Sequence, residues 1–219
     1  MGNGQNIFLR AIKAILRWPV KFSMKHLEKG DHVTRYYMYD HLSRVFDGLD
    51  AKKEGVKILS VSRSRRLCQV FRLKRGEITE ANYPEYNIID LPFDDNFFDY
   101  AGVDEVIEHV EANPQDAVDE IYRVLKPGGV AIFTTCLIHP VHGEPKDFWR
   151  FTPDALALLS RKFSSILDCG GWGNIWVWLV DWLGLKYEPV PHAVWHPMHV
   201  IAVQNNEKWP IVTWIVAKK

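Results

Sequence analysis

Apolar positions along this chain follow two periods. Near the start, Phe8, Ala11, Ile12, Ile15 and Leu16 share one side of a 3.6-residue repeat, and Arg10, Lys13 and Arg17 line another. That pattern predicts a basic amphipathic helix ended by Pro19. Residues 33–49 repeat the helical period, with Thr34 placed as its cap and Gly48 as its stop. From position 56 the pattern changes. Val56, Ile58, Leu59 and Val61 predict a strand, followed by a short helix near 65–73 and a second strand at 77–81. "YNIIDLPF" predicts a third strand that ends at a proline turn, and residues 98–103 predict a fourth. "NPQDAVDEIYRVLKPGG" reads as a helix capped by Asn113, with Pro114 in its first turn and Pro127-Gly128-Gly129 as its end. "VAIFTTC" has the run of a strand buried on both faces of a parallel sheet. A helix capped by Thr152 and two late strands, "SSILDCGGW" and "PIVTWIVAKK", complete the pass.

Strands and helices that alternate over 56–136 predict an α/β fold with a doubly wound sheet. A length of 219 residues, 47% of them apolar and 25% charged, fits one globular domain. Within it the expected parts are N-terminal helices at 1–55, a core at 56–171, a Trp- and His-rich insertion at 172–209 and a last strand at 210–219.

Charge adds little at the level of the whole chain. The net formal charge is zero, which argues against nucleic acid as a partner. Locally it is segregated: residues 63–75 carry six basic groups and no acid, whereas 77–120 carry fourteen acids and no Lys or Arg. Solvated faces on opposite sides of one domain are the preferred reading over a ligand-facing patch. The N-terminal helix is expected to pack on its own domain or on a partner subunit, as in a homodimer, in preference to an anionic membrane surface. Cys68, Cys136 and Cys169 lie far apart without a C-x-x-C motif, and no signal-peptide pattern opens the chain. Reduced thiols and a cytoplasmic location are therefore expected.

"LPFDDNFFDYAGVDEVIEHV" followed by "EIYRVLKPGGVAIFTT" resembles the class I S-adenosylmethionine-dependent methyltransferases, and more narrowly the type 11-like branch with an LPF…FD…EH…RVLKPGG core. The likeness is good over 56–165 and looser over the closing strands. It implies a Rossmann-like, seven-stranded, mostly parallel sheet with an antiparallel last strand, and S-adenosylmethionine as cofactor. An acid at the end of the second strand holds the ribose hydroxyls in this family, and Glu80 stands there. Asn87 and Ile88 fall at the adenine position, and Asp104 beside the methionine part. The departure is the first loop. Where the family has acid-x-Gly-x-Gly-x-Gly, this chain reads Ser60-Val61-Ser62-Arg63-Ser64-Arg65-Arg66. Ser60, Ser62, Arg63 and Ser64 are assigned to the cofactor on that alignment. Three readings stay open: serines that do the glycines' work, arginines that favour a phosphorylated ligand, or a site that has lost its cofactor.

Methyl transfer to a hydroxyl needs alignment and a base. "CLIHPVHGEPKDFWRF" follows the fifth strand, and His139 and His142 are the base candidates in it. Arg35 and Tyr36 sit on a helix that covers the cofactor in relatives. His192, His196 and His199 are read as an acceptor-pocket wall and no metal site is expected, because prolines break any helix that would present them together. Several of the tryptophans at 172–209 are expected to line an acceptor site. The function expected is O-methylation of a small molecule or glycan precursor. The alternative is a non-catalytic protein of the same fold that binds a phosphorylated ligand, a protein partner or a membrane surface.

Overall fold

The computed structural model describes residues 2–47, 55–73, 76–143 and 145–219. The chain divides into two compact units, one of residues 1–38 with 172–209 and the other of 39–171 with 210–219.

The larger unit is built on a six-stranded sheet of order β3-β2-β4-β5-β8-β6, from β2 (Val56–Val61), β3 (Gly76–Ala81), β4 (Phe98–Asp104), β5 (Leu125–Cys136), β6 (Ser165–Trp172) and β8 (Val212–Lys218). Strands β3, β2, β4 and β5 run parallel, and β8 is antiparallel to β5. Alternation along the strands covers both faces. Leu59, Val61, Ala101, Val103 and Phe133 join a buried cluster with α4 (Pro114–Val124) and α5 (Pro153–Leu159). On the other face, Tyr100 packs its ring 4.8 Å from Phe71 and 6.5 Å from Phe46, which lies on α2 (Val33–Asp47). There too Gly102 lets α3 (Arg65–Cys68) close in, since an added Cβ would meet the Cys68 sulfur at 2.8 Å. The fold is thus the doubly wound α/β sheet expected.

Among the described residues the sheet has six strands where seven were expected. "YNIIDLPF" forms turns with a single bridge between Asn87 and Asp90. Asn87 Oδ1 accepts the Ile89 N–H at 3.3 Å and the Asp90 N–H reaches the Asn87 carbonyl at 3.0 Å, so local turn bonds replace a ladder. Helix α4 stops at Val124, and the Lys-Pro-Gly-Gly run belongs to the long strand β5. Its caps are as read: Asn113 accepts from Gln115, and Thr152 caps α5 by accepting from Ala155.

The smaller unit holds α1 (Gly2–Ser23), β1 (Lys29–His32), α6 (Trp176–Trp182), β7 (Pro189–Pro191) and α7 (Pro197–Val203), with β1 and β7 paired antiparallel. Pro19 does not end α1, which continues to Ser23. The helix is exposed there, so a carbonyl freed by the proline is hydrated at little cost. Thr34 lies inside α2, and its hydroxyl sits 3.1 Å from His32 Nδ1, so it is not the cap. The expected stop at Gly48 and most of the linker at 51–55 lie outside the described residues. No helix among the described residues is long and apolar enough to cross a membrane.

Candidate active site at the C-terminal edge of the sheet

Parallel strands end together, and the register brings the expected residues to one edge. Ser60 pairs with Glu80 and with Gly102, and Asp104 pairs with Thr134 on β5. Ligands of open α/β sheets sit outside such an edge.

The loop after β2 keeps the conformation that glycine would favour, without glycine. Ser62 and Arg63 have φ of 48° and 69°. Left-handed backbone costs a residue with a side chain on the order of 1–2 kcal/mol, and such strain collects at functional sites. The loop is held by the Ser62 N–H on the Ala81 carbonyl at 2.9 Å and the Arg63 N–H on Asn82 Oδ1 at 2.7 Å. Ser64 turns inward. Its buried hydroxyl donates to the Val61 carbonyl and accepts the Asp104 N–H at 2.8 Å, tying β2 to β4. Ser60 is also fully buried, and Ile88 belongs to the core cluster. The side chains of Ser60, Ser64 and Ile88 are therefore buried behind the edge. Asn87 is exposed.

Glu80 ends β3 at the edge, but it is not alone there. The Arg65 guanidinium bonds its Oε1 at 2.8 Å and Asn82 Nδ2 reaches Oε2 at 3.3 Å. The Arg65 hydrogen bond, helped by Asn82, holds the Glu80 carboxyl below its ordinary value. Asp104 is more firmly held: Oδ2 accepts the Tyr39 hydroxyl and Oδ1 the Thr134 hydroxyl, each at 2.5 Å.

The loop after β5 brings imidazoles to the same edge. His139 and His142 pack edge-on at 4.6 Å between centroids, and His109 lies 5.0 Å from His142. The His142 backbone N–H donates to Asp147 Oδ2 at 2.8 Å, and the ring Nδ1 lies 3.2 Å from the same oxygen without a hydrogen bond to it. Asp147 is 3% exposed and bonded by both Arg150 Nη atoms, which hold its carboxyl well below the usual carboxylate range. The "EH" pair stitches this loop down. The Glu108 carbonyl accepts from Phe148 and Trp149, its carboxylate accepts the Thr135 hydroxyl at 3.0 Å, and His109 Nδ1–H donates to the Lys146 carbonyl at 2.5 Å. Ligand atoms of Cys136, His139 and His142, and likewise of Glu108, His109 and His142, lie within 4.8 Å of one another. Burial, and then Glu108, pushes the Cys136 thiol up, and the Asp147–Arg150 pair adjoins the group through His142.

Sequence reasoning missed Tyr39, Thr134 and Arg65 as the partner of Glu80; it placed Asp147 and Arg150 in the acceptor loop without reading them as a pair. Only Asp147, five residues after His142, carried a local signal. In the smaller unit the Tyr36 hydroxyl lies 2.9 Å from His192 Nδ1 and 3.2 Å from His199 Nδ1, and His196 is buried as the cap of α7. Arg35 is buried there with Nη1 on the Thr34 hydroxyl at 3.3 Å. Of the tryptophans, Trp172 is fully buried and stacks on Tyr37 at 6.3 Å, while Trp176, Trp182 and Trp195 are exposed.

Residues 44–133 match the family described as a methyltransferase domain. A demethylmenaquinone methyltransferase of Symbiobacterium thermophilum is 29% identical over 159 residues, which cover 69% of this chain and 58% of that protein. The match thus spans less than two thirds of that relative. Among solved structures, a 1,6-didemethyltoxoflavin N1-methyltransferase of Burkholderia thailandensis superposes with a TM-score of 0.53 at 12% identity, over 98% of this chain and 89% of its own. The [4+2]-cyclase SpnF gives 0.53 at 19% identity, over 82% and 81%. At such identities the structural likeness shows the fold alone, and one of these two neighbours is titled a cyclase.

Proposed function

From the methyltransferase-domain match over residues 44–133 and the motifs that resemble the class I S-adenosylmethionine-dependent methyltransferases, we propose that the chain is such an enzyme and methylates a hydroxyl of a small molecule or glycan precursor, with His142 as the base. S-adenosylmethionine, the cofactor of this family, supplies an electrophilic methyl group when bound. The residues present fit it. The loop at Ser62 and Arg63 retains a glycine-like backbone, and Glu80 ends β3 with its carboxylate part-exposed and ionised. Glu80 would hold the ribose, and the backbone of 62–63 would lie along the cofactor. Asp104, locked by Tyr39 and Thr134, keeps the end of β4 rigid beside it.

The observation that carries the reading is the Asp147–His142 pair at the same strand edge as Glu80. Asp147 Oδ2 accepts the His142 backbone N–H, which fixes the residue's position, and its negative charge 3.2 Å from Nδ1 steadies the charge the ring gains on taking a proton. His142 then accepts the hydroxyl proton as the oxygen attacks. His139, whose Nδ1–H donates to the Pro140 carbonyl at 2.8 Å, packs against it and fixes the ring's position. The rival reading, a phosphate site made by arginines, is weakened by the pairing of Arg65 with Glu80 and of Arg66 with Gln69.

The test is transfer of labelled methyl from S-adenosylmethionine to a panel of phenolic and sugar hydroxyls. His142→Ala is expected to slow transfer by about 100-fold or more while cofactor affinity is unchanged, and chelator treatment is expected to leave the rate unchanged. A wild-type rate in His142→Ala removes the base. A chelator-sensitive rate restored by zinc replaces it with a metal.

A further inference from the structure

Helix α1 sits in its unit with its polarity inverted. At 100° per residue, Ile7, Ile15, Trp18 and Phe22 fall within an arc of about 80°, and Arg10, Lys13, Arg17 and Lys21 within another of about 80°. A helix in a soluble domain buries the first arc. Here Ile7, Phe8, Ile15, Trp18 and Phe22 are each more than 60% exposed. The contacts with the body of the unit come from the basic side. Lys13 Nζ lies 4.7 Å above the Trp182 ring, Lys21 pairs with Glu188, and Arg17 reaches Gly184.

The same unit offers more of this surface. Trp18 stacks on Phe22 at 5.2 Å, and the pair borders a cleft of about 370 Å³ that Lys21, Lys25 and Lys29 also line. Trp176, Tyr187 and Trp195 are exposed in the insertion. Exposed Trp and Tyr beside aliphatic residues and lysines is the composition of a membrane–water boundary. Helix α1 has four basic residues and no acid. Lys13, Arg17 and Lys21 turn to the body of the unit, but Lys25 and Lys29 line the cleft beside the exposed Trp18–Phe22 pair, so a second copy laid on this face would bring like charges together, whereas an anionic bilayer neutralises them, at about 1 kcal/mol per cation near the surface.

We infer that the unit of residues 1–38 and 172–209 docks on an anionic lipid bilayer, with α1 in the interface and the lysine cleft against lipid phosphates. The inference uses no feature of the transfer reaction and stands apart from it. Full-length protein is sedimented with phosphatidylcholine vesicles with and without phosphatidylglycerol. Binding to the anionic vesicles alone is expected. It should weaken as salt rises, and fall at least tenfold in Ile15→Glu/Trp18→Glu and in Lys25→Glu/Lys29→Glu. These positions are exposed, and circular dichroism together with S-adenosylhomocysteine binding checks that each variant is folded. Wild-type protein that stays in the supernatant, or an Ile15→Glu/Trp18→Glu variant that pellets unchanged, overturns the inference. So does a dimer in sedimentation velocity that this variant dissociates, which would give the face to a second copy.

Discussion

Ser62 and Arg63 hold a left-handed backbone that neither side chain favours. Glycine at both positions would relieve this, less what a freer unfolded chain costs. Ser62→Gly/Arg63→Gly is expected to raise stability by about 1–2 kcal/mol, read as a higher urea midpoint at unchanged slope. A lower midpoint would mean that the two side chains hold the loop. Residue identity at this loop was legible only as a departure from a pattern, because the backbone that the glycines normally permit is kept by bonds to Ala81 and Asn82, each nineteen residues away. Glu80 was legible by its position, but Arg65 as its partner was not. A side chain's direction is set by the fold and not by spacing.

At the scale of elements, the motif LPF and the motif RVL are one device. Arg123 of α4 donates to the carbonyls of Leu91 and Phe93 at 3.0 and 2.8 Å and to Asp95 at 2.7 Å, while Glu120 accepts the Leu91 N–H at 2.8 Å. A planar fork that satisfies two turn carbonyls explains why an arginine stands there. Helices with strong caps were read correctly at their starts, at Asn113 and Thr152. The strand at "YNIIDLPF" failed because its apolar run was short and its Asn and Asp made their own turn. Helix α7 carries a pH prediction. His196 caps it, lies 3.0 Å from the Ser23 hydroxyl, and has its proton affinity lowered by burial and then by His199. The unfolded chain, with His near 6.5, therefore binds the proton more readily, so this stabilisation is present above that value and is lost as pH falls through the folded one. His196→Asn keeps a cap. Its urea midpoint is expected to vary less between pH 7 and 5 than that of the wild type, and an equal dependence would assign the effect to another group.

On the scale of the molecule, the segregated charges of the sequence meet in the fold. Acids of the stretch 77–120 pair with Arg65 of the basic stretch and with Arg123, Lys126, Lys146 and Lys162 beyond it. The α/β class was legible in the alternation of periods, and the edge that carries the site follows from parallel strands. The division into two units and the outward apolar face of α1 were not, since an amphipathic pattern says that a face is covered without saying by what. The account rests most on cofactor binding at the edge formed by β2 and β3. Calorimetric titration with S-adenosylhomocysteine tests it directly. The expected result is one site of micromolar affinity that Glu80→Ala weakens at least tenfold, which is about 1.4 kcal/mol, with the fold intact by circular dichroism. No binding by folded wild-type protein, or equal affinity in Glu80→Ala, would contradict it.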